Sequence, residues 1–137
     1  MNQSWLIKIL EYANKKRYPI FIGMDSNAHS TLFGNETNAR GEELEEILIK
    51  YGLITENIGL TPTFSANRED GMINSIIDVT LSRGLRGRIR NWRVDTEYNG
   101  SDHNTIKYEL HGLDNSKTLM RRWNNACLLY TSPSPRD

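Results

Sequence analysis

Apolar residues recur at helical spacing in two stretches of the chain. Within residues 4–16 one face carries Leu6, Ile9, Leu10 and Ala13, and within residues 40–51 one face carries Leu44, Ile47, Leu48 and Tyr51. This spacing is typical of a helix that buries one side. We expect Ser4 to cap the first helix, Pro19 to block its continuation and Gly52 to end the second helix.

Runs that favour strands lie between and after these helices. Residues 20–24 are continuously apolar and predict a buried strand. Further strands are predicted at residues 53–57, 61–65, 75–82, 89–96 and 103–111, with polar loops at 25–38 and 67–74. The order predicts an α/β fold in which helices cover one face of a mixed, largely antiparallel sheet. Because the other face of that sheet would stay open, we expect a missing partner layer.

The composition is that of a soluble globular domain, with 37% hydrophobic residues and no apolar run long enough to cross a bilayer. The 17 basic and 17 acidic residues balance, whereas a dedicated nucleic-acid binder is usually basic overall. Any contact with phosphates must therefore come from a metal or from a local patch. One basic cluster is either such a patch or a solvated strand edge, and it comprises Arg83, Arg86, Arg88, Arg90 and Arg93.

The last residues of the chain differ in character from the rest. Residues 127–137, which read CLLYTSPSPRD, contain the single cysteine, Cys127, and resemble the translation of an adaptor used in sequencing libraries. We expect residues 126–137 to be a non-native or disordered tail. A natural tail rich in Ser and Pro is the alternative. The domain is expected within residues 1–125.

The polar segment after the first strand carries the strongest chemical signal. Asp25 and Asn27 directly follow the buried run, and open α/β sheets bind ligands at the carboxyl ends of their strands. If strand geometry persists, the two side chains lie on the same side and can hold a water molecule. The alternative is an Asx turn, in which the two residues only shape the loop.

Two later acidic positions also allow two interpretations. Asp78 lies in the apolar run 76–81, where a buried carboxylate needs a partner; an exposed strand face is the alternative. Asp102 and His103 precede the last strand, and they either bind a metal or a phosphate or simply shape the strand start. A bond between Asp78 and His103 would fix the tautomer of the ring and raise its pKa.

Together these motifs resemble the second half of the endonuclease/exonuclease/phosphatase superfamily, and most closely the endonuclease domain of non-LTR retrotransposons. The resemblance covers about residues 18–110 and rests on segments 23–30, 38–41, 44–45, 62–64, 77–81, 91–92 and 101–103. Met24 and Ser26 flank Asp25 where the family often has Asp-Phe, but the Asp-x-Asn spacing is intact. The resemblance implies that the chain is the C-terminal half of a four-layer α/β sandwich.

The resemblance also implies hydrolysis of a phosphodiester with Mg²⁺, or Mn²⁺ in its place. Asp25 would orient or deprotonate the attacking water, and Asn27 would hold that water or a phosphate oxygen. His103 would stabilise the charge that develops on the phosphate, with Asp78 orienting its ring. Asp102 would lie near the metal.

Four further polar residues are implied as DNA contacts. His29 and Ser30 follow the Asp-x-Asn motif, and they either contact DNA or shape the loop. Asn67 and Arg68 lie in segment 66–75, which joins two strands and by resemblance is a hairpin loop that can enter a DNA groove.

The main metal ligand, a glutamate, is expected in a first half that this chain lacks. We therefore expect that the chain alone does not cleave DNA. The resemblance further implies a DNA substrate, a reverse transcriptase domain downstream in the intact polyprotein, target-primed reverse transcription and a nuclear location, without a membrane partner. The alternatives are an abasic-site nuclease or phosphatase of the same superfamily, and a catalytically dead relic or binding module.

Overall fold

A computed structural model describes residues 3–112 of the chain, so the predicted tail with Cys127 lies outside the described residues. The helices are α1 (Ser4–Lys16) and α2 (Ala39–Tyr51), with a short 3₁₀ helix at Thr31–Phe33. The strands are β1 (Ile20–Asp25), β2 (Ile54–Thr55), β3 (Phe64–Arg68), β4 (Gly71–Ser75), β5 (Asp78–Arg83), β6 (Ile89–Asp95) and β7 (Thr105–Leu110). The mixed α/β class and the antiparallel strands predicted from the sequence are confirmed. Among the described residues, no helix is long and apolar enough to cross a membrane.

Both helices pack on the same face of the sheet. Leu6 and Leu10 of α1 and Leu44 and Leu48 of α2 share one core with the side chains of β1 and β5 that face them. Those strand residues alternate along the chain and comprise Ile20, Ile22, Met24, Val79 and Leu81. The opposite face of β1 and β5 therefore carries the intervening residues, and it includes Asp25 and Asp78.

The helix boundaries follow local rules, with two corrections to the sequence prediction. Ser4 is not the cap of α1 but its first residue, since the cap is Gln3, whose side chain makes no capping bond. Ile9 was expected on the buried face but is about half exposed, because the contact face follows Leu6, Leu10 and Ala13. Gly52 ends α2 in the left-handed conformation, as predicted.

The strands pair in three separate antiparallel sheets rather than in the single sheet that was expected. The first has the order β1-β5-β2, and β3-β4 and β6-β7 each form a two-stranded sheet. The register of the first sheet places Asp25 opposite Asp78 and Ile20 opposite Arg83. One end of this sheet thus carries a pair of carboxylates, and the other end carries an arginine.

Two of the predicted strand boundaries were wrong. Segment 67–74 is not a loop, because residues 64–68 and 71–75 pair as a hairpin with a two-residue turn. The turn residues are Glu69 and Asp70, and Gly71, the first residue of β4, follows them with a φ of 120° that favours glycine. The strand predicted at 75–82 is broken at Ile76 and Ile77, since the backbone of Ile77 is bonded to the side chain of Thr63 instead.

The shared core predicts where substitutions will matter. Leu44→Ala removes a side chain with 0% exposure and should lower the free energy of unfolding by about 2–5 kcal/mol. Ile49→Ala on the same helix removes a side chain that is 81% exposed, and it should change stability by less than about 0.5 kcal/mol. Urea unfolding followed by circular dichroism measures both. Equal losses for the two variants would contradict this assignment of the core.

Candidate active site

Two carboxylates meet at the end of the first sheet. Asp25 is the last residue of β1, and its partner across the strands is Asp78, the first residue of β5. Residues directly opposite each other on antiparallel strands project on the same side. Both carboxylates therefore project from the face of the sheet that the helices do not cover. Their environments differ, since the Asp25 side chain is 44% exposed and the Asp78 side chain only 18%.

His103 joins the two carboxylates. Its Nδ1 lies 2.9 Å from Asp78 Oδ2 and 3.2 Å from Asp78 Oδ1. A carboxylate only accepts, so Nδ1–H is the donor in this bond. The other ring nitrogen, Nε2, lies 3.8 Å from Asp25 Oδ2. The ring therefore has one nitrogen fixed by Asp78 and the other beside the more exposed carboxylate.

This geometry raises the pKa of His103. The largest cause is the hydrogen bond to Asp78, and the negative charges of Asp78, Asp25 and Asp102 act in the same direction. Partial burial opposes them, because it disfavours the charged ring. The result favours an imidazolium whose Nε2–H can donate to an anion.

The backbone and ring of His103 are held by the loop around them. Ser101 Oγ accepts from the His103 backbone N–H at 3.1 Å, and the Asn99 side chain donates to the His103 carbonyl at 3.0 Å. The edge of the imidazole also contacts the ring of Phe64, with centroids 5.1 Å apart. These contacts leave the ring little freedom to turn away from Asp78.

Thr63 fixes the backbone at Asp78. Its side chain is fully buried, and Oγ1 accepts from the backbone N–H groups of both Ile77 and Asp78 at 3.0 Å. Asn57 adds a bond from its side-chain amide to the Asp78 carbonyl at 3.1 Å. Since the strand pairing is interrupted just before Asp78, these side chains satisfy backbone groups that a neighbouring strand would otherwise bond.

Asn38 holds the loop that follows Asp25. Its Oδ1 accepts from the backbone N–H of His29 and from the backbone N–H of Gly41. The bond from Gly41 makes Asn38 the N-terminal cap of α2. Gly41 allows the helix to approach the loop closely, because a Cβ at this position would lie 1.7 Å from the His29 carbonyl oxygen. One side chain thus ties the start of α2 to the candidate active-site loop.

Asn27 does not share a side with Asp25 by strand geometry, contrary to the sequence expectation. The strand ends at Asp25, and Asn27 has a left-handed φ of 49°. Its backbone N–H donates to Asp25 Oδ1 at 3.2 Å. This is the Asx turn that the sequence left open, and it leaves the Asn27 side chain exposed next to Asp25.

The structure separates the two residues that follow this turn. Ser30 is completely buried, where its hydroxyl caps the 3₁₀ helix and bonds to Glu45, so it shapes the loop and is not placed to contact DNA. His29 is partly exposed, and its backbone is bonded to Asn38. Its role as a DNA contact stays a prediction.

Asp102 lies beside the cluster rather than in it. Its backbone carbonyl accepts from Ser65, and its exposed carboxylate acts on His103 only through its charge. Within residues 3–112, the group of side chains that could hold a metal ion is Asp25, Asp78 and His103, whose ligand atoms lie within 4.8 Å of one another. The role of Asp102 as a metal ligand stays a prediction.

The hairpin β3-β4 starts at this site. Phe64 forms an isolated bridge with His103, and Ser65 donates to the Asp102 carbonyl at 2.8 Å. Asn67 and Arg68 are exposed near the tip of the hairpin, where they pair with Met72 and Gly71. Their predicted contact with DNA is compatible with this exposure and remains a prediction.

Comparison with known proteins identifies the family to which the chain belongs. A sequence profile of the family described as endonuclease-reverse transcriptase matches residues 2–107, which is more than half of the 137 residues. The chain belongs to the endonuclease–reverse transcriptase family. A search of curated proteins gave no match.

A solved structure agrees with the family assignment. The fold is similar to the endonuclease domain of TRAS1, a telomere-specific non-LTR retrotransposon, with a TM-score of 0.72 and 33% identity. The similarity covers 82% of this chain and 52% of that chain. This member of the endonuclease–reverse transcriptase family therefore spans about half the length of the domain that it matches.

Several residues that build the site were missed by the sequence reasoning. Thr63 belongs to segment 62–64 of the family resemblance, but the sequence predicts no role for it, and it predicts none for Asn99. Polar residues of this kind look like ordinary loop composition in a sequence. Thr63 is identified by its complete burial beside an interrupted strand. Neither feature can be recognised before the fold is known.

The bond between His103 and Asp78 predicts a change in titration. Asp78→Asn replaces the charged acceptor of the hydrogen bond that contributes most and removes its charge as well, so the pKa of His103 should fall. Asp102→Asn, as the matched control, should lower it less, because Asp102 acts only through its charge. NMR titration of the His103 ring measures both. A larger fall for Asp102→Asn would contradict the conclusion that Asp78 affects the pKa of His103 more than Asp102 does.

The same shift has a defined effect on stability. Because the pKa of folded His103 is raised, its bond to Asp78 stabilises the fold fully below the pKa of the unfolded ring. That stabilisation is lost as the pH rises through the pKa of the folded ring.

Thr63 gives a second prediction for this site. Thr63→Val keeps the shape but leaves the N–H groups of Ile77 and Asp78 without their acceptor, so the free energy of unfolding should fall by about 1–3 kcal/mol. Thr63→Ser keeps the hydroxyl and should lose less. Denaturant unfolding measures the loss, and a less stable Ser variant would contradict this role.

Proposed function

We propose that this chain is part of a Mg²⁺-dependent endonuclease domain that nicks DNA by hydrolysing one phosphodiester bond. The observation that supports this most is the position of His103. Asp78 holds its Nδ1–H, while Nε2 lies 3.8 Å from the exposed carboxylate of Asp25. An imidazole with a raised pKa and an exposed carboxylate thus lie together at the end of a sheet.

The side chains suit the two needs of phosphodiester hydrolysis. In the proposed reaction Asp25 orients the attacking water and accepts its proton, and the exposed amide of Asn27 holds the same water or a phosphate oxygen. His103 donates Nε2–H to a non-bridging phosphate oxygen and offsets the charge that grows there. Asp78 does not touch the substrate but keeps the ring charged and correctly turned.

The donor set is compatible with a hard cation. Asp78 and His103 are already bonded to each other, so Asp25 has the free oxygens of the cluster, and Asp102 lies one residue from His103. Mg²⁺ is usually held by one or two carboxylates together with water and substrate phosphates, and Mn²⁺ accepts the same oxygen donors. When bound, the ion would neutralise phosphate charge.

We further propose that the nick serves target-primed reverse transcription. In this proposal a reverse transcriptase domain lies downstream in the intact polyprotein, and the nicked DNA end primes its synthesis. Membership of the endonuclease–reverse transcriptase family and the similarity to the TRAS1 endonuclease domain favour this role over an abasic-site nuclease or a phosphatase.

The proposal can be tested in a chimera. Residues 3–112 would replace the matching half of the TRAS1 endonuclease domain, and nicking of supercoiled plasmid would be followed with and without Mg²⁺. We expect Mg²⁺-dependent nicking that falls about 10²- to 10³-fold on His103→Ala, because the donor to the developing charge is lost.

The exposed His111 provides the matched control. His111→Ala removes a second histidine, which is bonded to Glu109 rather than to the cluster, and it should leave the rate of nicking unchanged. An active His103→Ala chimera would contradict the proposed mechanism, and a folded chimera without any nicking would favour an inactive relic. The chain on its own is expected not to nick DNA.

A further inference from the structure

Basic side chains gather at the end of the first sheet that lies opposite to the candidate active site. Arg83 is the last residue of β5, five residues beyond Asp78, which is about 17 Å along a strand. α1 and α2 both end here, since Arg17 follows α1 and Arg83 Nη1 donates to the carbonyl of Tyr51, the last residue of α2. Arg86 and Arg88 lie in the loop that follows β5.

Helix dipoles account for only part of this charge. Two helix carboxyl ends carry roughly half a negative charge each, about one unit together. Seven of the 17 basic residues lie in the last turns of the helices, at the cap of α1, at the end of β5 or in the loop after β5: Lys15, Lys16, Arg17, Lys50, Arg83, Arg86 and Arg88. The cations therefore exceed what the helix ends require, and the excess is large although the chain as a whole is neutral.

Three of these arginines line two adjoining grooves. Arg17 and Arg83 line an open groove of about 470 Å³, and Arg83 and Arg86 line a second one of about 270 Å³. Of the described residues that line the two grooves, none is acidic. Within residues 3–112, no ion pair joins these three guanidinium groups to a carboxylate. Their charge is therefore available to an external anion.

The first groove also has an aromatic wall. Tyr18 lines it beside Arg17, and this residue is 52% exposed. Tyr12 packs edge-on against that ring, with centroids 6.3 Å apart, and so supports it. Asn14 adds an amide to the same groove. Arginines beside a supported, exposed aromatic ring are the combination that binds single strands, since the cations contact phosphates while the ring stacks on a base.

We propose that Arg17, Arg83, Arg86 and Tyr18 form a second nucleic-acid site, which binds a single strand at the end of the sheet remote from the candidate active site. The arginines contact successive phosphates, and Tyr18 stacks on an unpaired base. One of the five N–H donors of Arg83 is bonded to the Tyr51 carbonyl, and the others can bind the nucleic-acid strand. The site does not depend on hydrolysis at His103.

NMR of the full chain tests this site directly, with a short oligothymidylate as the probe. We expect shifts at the amides of residues 14–18 and 83–86. Arg17→Gln/Arg86→Gln should raise the Kd measured at these amides at least tenfold. It should also reduce the slope of log affinity against log salt by about 1.4, since each lost phosphate contact on a single strand removes about 0.7.

Two controls separate this site from a general effect of charge. Lys8→Gln/Arg93→Gln removes the same charge from side chains that line neither groove, and it should change the Kd less than twofold. Tyr18→Leu should weaken binding several-fold while leaving the salt slope unchanged, because it removes stacking and no charge. Since Tyr18 is exposed, this variant also tests the site if the arginine pair does not fold.

Four outcomes would overturn the proposal. The first is that the shifts are confined to the loops around Asp25 and His103, and the second is that the lysine-containing control weakens binding as much as the arginine pair. The third is that inorganic phosphate alone reproduces the shifts at equal affinity, which would indicate a simple anion site. The fourth is that vesicles of phosphatidylserine bind while the oligonucleotide does not, which would indicate a lipid surface.

Discussion

The hydrogen bond from His103 Nδ1 to Asp78 is the interaction on which the candidate site depends. It connects the loop before β7 to the first residue of β5, two segments that are not paired as strands. It also decides which ring nitrogen is free, and it is the largest cause of the raised pKa of His103. Without it, Asp25 would face an unfixed imidazole and Asp78 would be a half-buried carboxylate without a partner, which is costly.

Neutral polar side chains support this bond from both sides. Thr63 and Asn57 bond the backbone at Asp78, and Ser101 and Asn99 bond the backbone at His103. Thr63 and Asn57 replace a strand neighbour where the pairing is interrupted before Asp78, whereas Ser101 and Asn99 make local bonds within the loop before β7. The main chain thus places the charged groups of the site. Hydroxyl and amide side chains place the main chain, and they are buried or half-buried at Asp78 and exposed at His103. Such a scaffold can tolerate changes of surface charge more readily than loss of a single hydroxyl.

The sequence predicted those parts of the fold that depend on periodicity. Both helices, the buried strand at Ile20 and the class of fold follow from apolar spacing, which tertiary contacts reinforce. Segment 67–74 was mistaken for a loop because its polar residues hide a hairpin that Asp70-Gly71 could have revealed. Asp78 and His103 were paired correctly from chemical need, whereas the turn at Asn27 depends on a single backbone angle that no spacing rule provides.

Zero net charge conceals a separation of charge along the strands. Asp25, Asp78 and Asp102 lie at one end of the sheet, where the start of α2 is bonded to the same loop through Asn38. The helix carboxyl ends and the arginines lie at the other end, about 17 Å away along β5. A carboxylate cluster repels phosphate unless a cation is present, whereas unpaired arginines attract it without one. In the functions proposed above, the two ends would therefore meet a nucleic acid under different conditions, one with a metal ion and the other at low salt. The overall balance of 17 basic and 17 acidic residues shows neither end.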